Sequence, residues 1–280
     1  MTDTRHYETN WSIVRITGPD AGLFLHNLTT NDVKQLAAGG AVETLFTNVK
    51  GRILAHAVLC RHAVDEDQAD RIDVVVTSPH AAELATHLDR YHIREDLKLE
   101  VLPRANVYLA WNLIEAPKAQ DAAAAFELPA LGKTARLIIA EAPFTPSGTP
   151  LDAAEFAALR INDRFPVDRV DVDERNLPQE LNRDAAMISF TKGCYLGQET
   201  VARIDALGQV NQLLVQLHCR GKHSVGESLS VDEKAIGRIT SYAASDDSAT
   251  GDGIALAYVR REYATPGTTL ATDHGEVTVV

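Results

Sequence analysis

Cysteine is scarce in this chain: Cys60, Cys194 and Cys219 form an odd set of three with no close pair. That excludes a disulfide framework, leaves at least one thiol free and suits a reducing compartment. Long apolar runs are absent too. No stretch reaches the roughly 20 residues that a bilayer-spanning helix needs, and Met1–Asn10 has no apolar signal core, so a cytoplasmic protein with no membrane partner is expected. Basic residues are outnumbered, 27 Lys and Arg against 39 Asp and Glu, and the formal charge of −12 excludes a surface built to grip phosphate backbones. No direct nucleic-acid partner is expected. Glycine (17) and proline (11) are at ordinary levels, which excludes collagen-like and disordered classes. The 280 residues, 45% of them apolar, suit roughly two globular units at the usual ~150 residues per domain.

Hydrophobic periodicity places a strand at 11–17, and Gly18-Pro19-Asp20 then opens a helix with Leu23, Phe24 and Leu28 on one side. Strands at 41–48 and 53–60 are joined by Val49-Lys50-Gly51-Arg52, with Gly51 permitting the tight reversal of a hairpin. The acidic stretch 65–70 reads as a loop, 72–77 as a strand, the segment around Leu84 and Leu88 as a helix, and 97–102 and 107–114 as strands. After a proline-rich loop at 141–150 comes a helix at 152–161. This irregular alternation favours an α+β fold with mostly antiparallel sheets. From about 210 six short strands, 210–218, 227–231, 235–243, 253–259, 268–272 and 276–280, suggest a small C-terminal β-barrel. The change of period near 205–209 divides the chain into regions 1–207 and 208–280.

Several familiar chemistries are excluded residue by residue. Leu131-Gly132-Lys133-Thr134 ends like a phosphate-binding loop, but Glu127 stands where the leading glycine is required. Gly251-Asp252-Gly253 lacks the third glycine of a dinucleotide site and precedes a strand. The pairs His87/His92 and His218/His223 are not at the i, i+4 spacing of helix-borne metal ligands and read as exposed histidines, so no metal site is expected.

The densest chemistry lies in Lys192-Gly193-Cys194-Tyr195-Leu196-Gly197-Gln198-Glu199. Two glycines relax the backbone, and a helix starting near Gln198 sets Cys194 just ahead of a helix N-terminus. There the dipole and the Lys192 ammonium favour a thiolate, so Cys194 reads either as a reactive thiol or as a small buried residue in a tight turn. Cys60 and Cys219 sit in apolar strand contexts and read as inert.

This run, with seven fixed positions of eight, resembles the signature of the YgfZ-type folate-binding proteins, relatives of the glycine-cleavage T-protein. The resemblance extends through Leu28-Thr29-Thr30-Asn31-Asp32, Lys50-Gly51-Arg52, Leu177–Asn182 and Gly237–Ser241 to nearly the whole chain. It implies a three-subdomain ring, with two interleaved α+β subdomains within 1–207, around an opening for tetrahydrofolate or a derivative. It also implies service to iron–sulfur client or assembly proteins, including tRNA-modifying enzymes. In that reading Cys194 and Lys192 are the functional pair, Lys192 facing the thiolate or the ligand's anionic tail. Asn162, Asp163, Tyr195, Gln198 and Asn31 are the expected folate contacts, and Glu199 caps its own helix.

The chain departs from the T-protein pattern where Leu84 replaces a catalytic acid, where Asn162 replaces a pterin-binding Glu, and where Gln212 replaces an Arg. Glycine-cleavage chemistry is therefore not expected. Two alternatives to an accessory role follow: a tetrahydrofolate-dependent one-carbon transferase or demethylase with Glu83 or Asp163 as acid/base, and a folate-shaped scaffold without ligand.

Overall fold

The computed structural model describes residues 3–63, 69–102, 106–113, 123–142, 144–245 and 251–280. Strands β1 (Arg5–Glu8) and β2 (Ser12–Thr17) lead to helix α1 (Ala21–Leu28) and the hairpin β3 (Ala41–Thr47) and β4 (Ile53–Arg61). Next come β5 (Arg71–Val76), α2 (Ala81–Asp89), β6 (Lys98–Leu102), β7 (Asn106–Trp111), β8 (Ala123–Glu127), β9 (Ala135–Ala140), the short β10 (Thr149–Pro150) and α3 (Ala153–Asn162). These strands form two sheets, β3-β4-β5-β2-β6 and β10-β1-β7-β9-β8, in which β1 with β10 is the one parallel pairing among the described residues. Of the expected elements, the loop at 65–70 and the end of the strand at 107–114 lie partly outside the described residues.

The two sheets pack face to face, and strand alternation decides which side chain goes where. Val14, Ile16, Val74 and Val76 point to α1 and α2, while Ile13 and Val75 point to Leu109, Trp111 and Leu137 of the second sheet. Both faces of β5 are therefore covered. That accounts for its near-continuous Ile-Asp-Val-Val-Val run. Leu23 departs from the expected helix face and is half exposed, since it lies one residue, and so ~100° of helical turn, away from buried Phe24.

After α3 the chain runs through irregular structure and α4 (Asp184–Met187) to α5 (Gln198–Leu207), and then into a closed barrel of β11 (Gln212–Cys219), β12 (Ser228–Val231), β13 (Lys234–Ala244), β14 (Gly253–Arg260), β15 (Thr269–Thr272) and β16 (Gly275–Val279). The architecture is thus α+β, with mostly antiparallel sheets and a six-stranded C-terminal barrel. His223 is buried in that barrel rather than exposed, its Nδ1 3.2 Å from the Glu227 carboxylate that also bonds His274.

Barrel and body are joined by a buried ion pair. Asp171 Oδ2 accepts from Arg160 Nη1 of α3 at 2.7 Å, and Oδ1 accepts from Thr240 Oγ1 and Ser241 Oγ of β13, both at 2.6 Å. Arg160 Nη2 also donates to Ser241 Oγ. A second buried carboxylate, Asp73 on β5, is held by Arg15 at 2.8 Å and His62 at 2.8 Å. Burial opposes its ionisation, yet these two partners outweigh burial and lower its pKa from 3.8 to about 2.

Two outcomes are expected. Asp171→Ala strands the Arg160 charge in the interface and lowers unfolding free energy by about 3–5 kcal/mol in urea titration, whereas loss below about 1 kcal/mol would deny the joint this role. Because Asp73 ionises at lower pH in the folded chain, it adds about 2 kcal/mol above pH ~4, a gain lost as pH falls through about 2. Asp73→Asn should flatten that acid limb of the stability profile.

Candidate functional site

The Lys192–Glu199 run folds as a loop clasped onto the C-terminal end of α1. A helix leaves its last four carbonyls without intrahelical donors, and here most of them are satisfied from outside the helix. Leu25 O accepts from Thr29 Oγ1 at 2.8 Å, His26 O from Lys192 Nζ at 2.5 Å, and Asn27 O from the Leu196 amide at 3.0 Å. Lys192 Nζ donates further to Thr29 O at 2.5 Å and Asn31 O at 2.7 Å. The loop is in effect the cap of α1, and its cation sits where the helix dipole is negative. Thr47 Oγ1 donates to Leu196 O at 2.6 Å, which fixes the loop to the β3–β4 hairpin as well. Gly197, at φ +82°, has room for no side chain: a Cβ there would lie 2.5 Å from Asn48 O.

Lys192 is buried, and burial pulls its pKa from 10.5 down to about 7. Three convergent carbonyls require all three ammonium protons, so geometry opposes that pull. The ammonium expected to face the Cys194 thiol or a ligand's anionic tail is enclosed instead, because the carbonyls of His26, Thr29 and Asn31 consume its donors. Tyr195 is also buried, its ring 4.9 Å from Lys192 Nζ, and burial raises its hydroxyl pKa. Gln198 Oε1 accepts from the Tyr195 amide at 3.3 Å, and Asn31 Nδ2 donates to Glu43 O and Ala186 O. Tyr195 and Gln198 thus bond within the loop, and Asn31 ties the segment after α1 to β3 and α4. Helix α5 is capped by Gly197 without a side-chain bond, so Glu199 does not cap it.

Cys194 stands exposed on this loop, four residues ahead of the first helical residue. Cys60 and Cys219 are buried, and burial raises the pKa of both thiols, that of Cys219 to about 12.

A second constellation surrounds Asp168, which the sequence patterns did not single out. Its carboxyl is 2% exposed; Oδ2 accepts from Ser78 Oγ at 2.7 Å, and Oδ1 has no partner among the described residues. Burial raises its pKa against the opposing Ser78 bond. Asp168 lines a cleft of about 180 Å³ together with Leu84, His80, Glu83, His87 and Arg169. Glu83 is engaged there, 2.6 Å from Arg169 Nη2 and 3.3 Å from His80 Nδ1. Asn162 and Asp163 are not in this cleft. Asn162 is exposed and among the described residues its side chain bonds only Asp163, at 3.5 Å, while Asp163 lines a different cavity of about 540 Å³ with Glu43 and Arg183. Gln212, in place of an anion-binding Arg, donates to Glu180 Oε2.

Buried polar groups link the two cavities. Arg183 Nη2 donates to Glu43 Oε2 at 2.7 Å, Glu43 Oε1 bonds His56 Nε2 at 3.0 Å, and His56 Nδ1 bonds Thr77 Oγ1 at 3.1 Å. Thr77 Oγ1 in turn accepts from the Asp168 amide at 2.9 Å. Burial raises the Glu43 pKa, but His56 and Arg183 together leave it below the ordinary carboxylate range.

Lys192→Met leaves three carbonyls without their donor and should cost about 3 kcal/mol in denaturant unfolding. Lys192→Arg should fail to restore it, since a planar guanidinium cannot aim three protons at convergent acceptors. Full stability in either variant would contradict the carbonyl cage.

Comparison with known proteins places this geometry. Residues 213–279 match the glycine cleavage T-protein C-terminal barrel domain family. The whole chain superposes on the glycine cleavage system aminomethyltransferase T from Bartonella henselae with a TM-score of 0.71, covering 99% of this chain and 85% of that one at 15% identity. It is 25% identical over 297 residues to a chloroplastic Arabidopsis thaliana protein with a provisional transferase name, covering 92% of this chain and 65% of that protein. It is 30% identical over 230 residues to the human mitochondrial iron–sulfur cluster assembly factor IBA57, covering 72% of this chain and 63% of that protein. The chain thus spans between about half and two thirds of the length of such relatives. Among the described residues no helix is long and apolar enough to cross a membrane. The fold is that of the T-protein, with a T-protein-type barrel at its C-terminal end.

Proposed function

We propose that the chain is a folate-binding accessory protein of the YgfZ type, which supports the assembly or repair of iron–sulfur clusters, those of tRNA-modifying enzymes included, through Cys194. The observation that carries this reading is the contrast among the three thiols: Cys194 is exposed on a loop fixed at both ends, and the other two are sealed. A thiol held out in this way can meet a cluster, a metal or an electrophile on a partner protein. The similarity to IBA57 proteins supports the cluster-assembly part. A reducing compartment such as the cytoplasm is part of the proposal, supported by three thiols without a disulfide, although the relatives carry mitochondrial and chloroplastic names.

The folate part rests on the T-protein fold and on the Asp168 cleft. A pterin's amide and amine edge pairs with a carboxyl group, and Asp168 offers a buried oxygen with no other partner. At about 180 Å³ the cleft is smaller than the ~300–1,000 Å³ of sites for whole drug-sized ligands, so it suits the ring and leaves the tail outside. Asp168 would hold the ring edge, with Ser78 orienting the carboxyl. Tetrahydrofolate, when bound, supplies a carrier for one-carbon groups.

One-carbon transfer or demethylation is the second reading, and Asp168 favours it over the earlier candidates. Burial raises its pKa, as suits a general acid, whereas Glu83 is ion-paired and Asp163 lies at the other cavity.

Three measurements test the proposal. Native-state alkylation at neutral pH should modify Cys194 at least about 100-fold faster than Cys60 or Cys219; equal rates would contradict it. Tetrahydrofolate at ~100 times its Kd should stabilise the wild type by about 2.7 kcal/mol, a gain kept in Cys194→Ala and reduced in Asp168→Asn; no gain would remove the folate part. Cys194→Ala should fail to support iron–sulfur enzyme activity in cells. If it supports that activity fully while Asp168→Asn does not, one-carbon transfer becomes the better reading.

A further inference from the structure

A third cavity, of about 460 Å³, runs along α1 and takes no part in the function proposed above. Its volume falls within the ~300–1,000 Å³ of small-molecule sites. Phe24, Leu28, Tyr91 and Leu196 give it an apolar wall, and Asn27 and Arg94 stand at its rim.

Hydrogen-bonding capacity at the rim is lopsided in a way the sequence does not show. Two carboxylates, Asp20 and Glu95, border the cavity and keep their charge, but one oxygen of each is turned onto backbone amides. Asp20 Oδ2 accepts from the Asp96 amide at 2.7 Å, and Glu95 Oε2 accepts from the amides of Ile93 and Arg94, both at 2.9 Å. The exposed Arg94 guanidinium, by contrast, has no ion pair or hydrogen bond among the described residues, and neither does the Asn27 side chain or the Tyr91 hydroxyl. Apolar walls with donors left open at one end suit a flat hydrocarbon body carrying one anionic group.

The position matters as much as the lining. Leu196 is two residues from Cys194, so their Cα atoms are within ~7 Å of one another whatever the loop's shape. The same loop that carries the exposed thiol therefore forms part of this cavity's wall.

We infer that this cavity is a binding site for a small aromatic carboxylate or a similar flat organic anion, anchored by Arg94 and held beside Cys194. The inference stands apart from the folate reading, since it involves neither Asp168 nor its cleft. The probe is 2-naphthoate, paired with the neutral 2-naphthylmethanol of nearly the same shape, each titrated calorimetrically into the full chain. Wild type should bind one 2-naphthoate, about fivefold or more tighter than the alcohol, and exposed Arg94→Gln should bring the two affinities together. Saturating 2-naphthoate should slow maleimide alkylation of Cys194 several-fold, and Asp168→Asn should leave naphthoate affinity unchanged. Equal affinities for anion and alcohol in the wild type, an Arg94→Gln ratio like that of the wild type, or an alkylation rate indifferent to naphthoate would overturn the assignment. Loss of naphthoate binding in Asp168→Asn would overturn it too, by moving the ligand to the other cleft.

Discussion

One ammonium group organises the neighbourhood of the exposed thiol. Lys192 Nζ gathers carbonyls from His26, Thr29 and Asn31, which the end of α1 leaves without donors, and so a loop more than 150 residues away in sequence becomes the cap of that helix. The arrangement serves both partners: α1 gains a terminus with its polar groups satisfied, and the loop gains a fixed shape. Neighbouring bonds extend the same logic. Ser189 donates its amide to Thr30 O, Leu196 its amide to Asn27 O, and Thr47 its hydroxyl to Leu196 O. What remains on the outer side is Cys194, whose exposure follows from the commitment of nearly everything around it.

Much of this was legible in the sequence, and the parts that were not share a physical cause. The loop announced itself through Gly193 and Gly197 around a cysteine, because close backbone approach to Asn48 demands glycine at 197. The hairpin, the β5 run, α3 and the barrel strands followed from local periodicity and turn residues, which act over a few positions. Strands β1, β8 and β9 escaped because short, alanine-rich or isolated segments carry little periodic signal and depend on their neighbours in the sheet. Asp168 escaped for a different reason. Within Val167-Asp168-Arg169 it looks like a surface carboxylate, and only Thr77 and Ser78, about ninety positions earlier, make it a buried one. Lys192 stands out in the sequence by its charge, but the direction of its side chain depends on the end of α1 and cannot be read locally.

The buried chain from Arg183 through Glu43, His56 and Thr77 to Asp168 gives the body a polar spine between its two cavities. Here a local signal was available: Glu43 and His56 interrupt otherwise apolar strands of one hairpin, and their register places them diagonally across it. Polar groups in such positions are retained when they are fully bonded, and both ends of this pair are. The spine sets the Asp168 backbone in place, while the Asp171 joint sets the barrel against α3. The thiol loop, the carboxyl cleft and the barrel are therefore each anchored by one buried polar group with several partners.

The most direct test of this account is amide hydrogen exchange at Leu196 in the loop and Ser189 just ahead of it, whose amides bond Asn27 O of α1 and Thr30 O beyond it. If the loop is an integral cap, both should exchange as slowly as amides of the adjoining sheet in the wild type, and Lys192→Met should speed them by orders of magnitude while the Val74 amide of β5 stays protected. Fast exchange at Leu196 in the unaltered protein would show that the ammonium does not fasten the loop, and the account of how Cys194 is presented would be wrong.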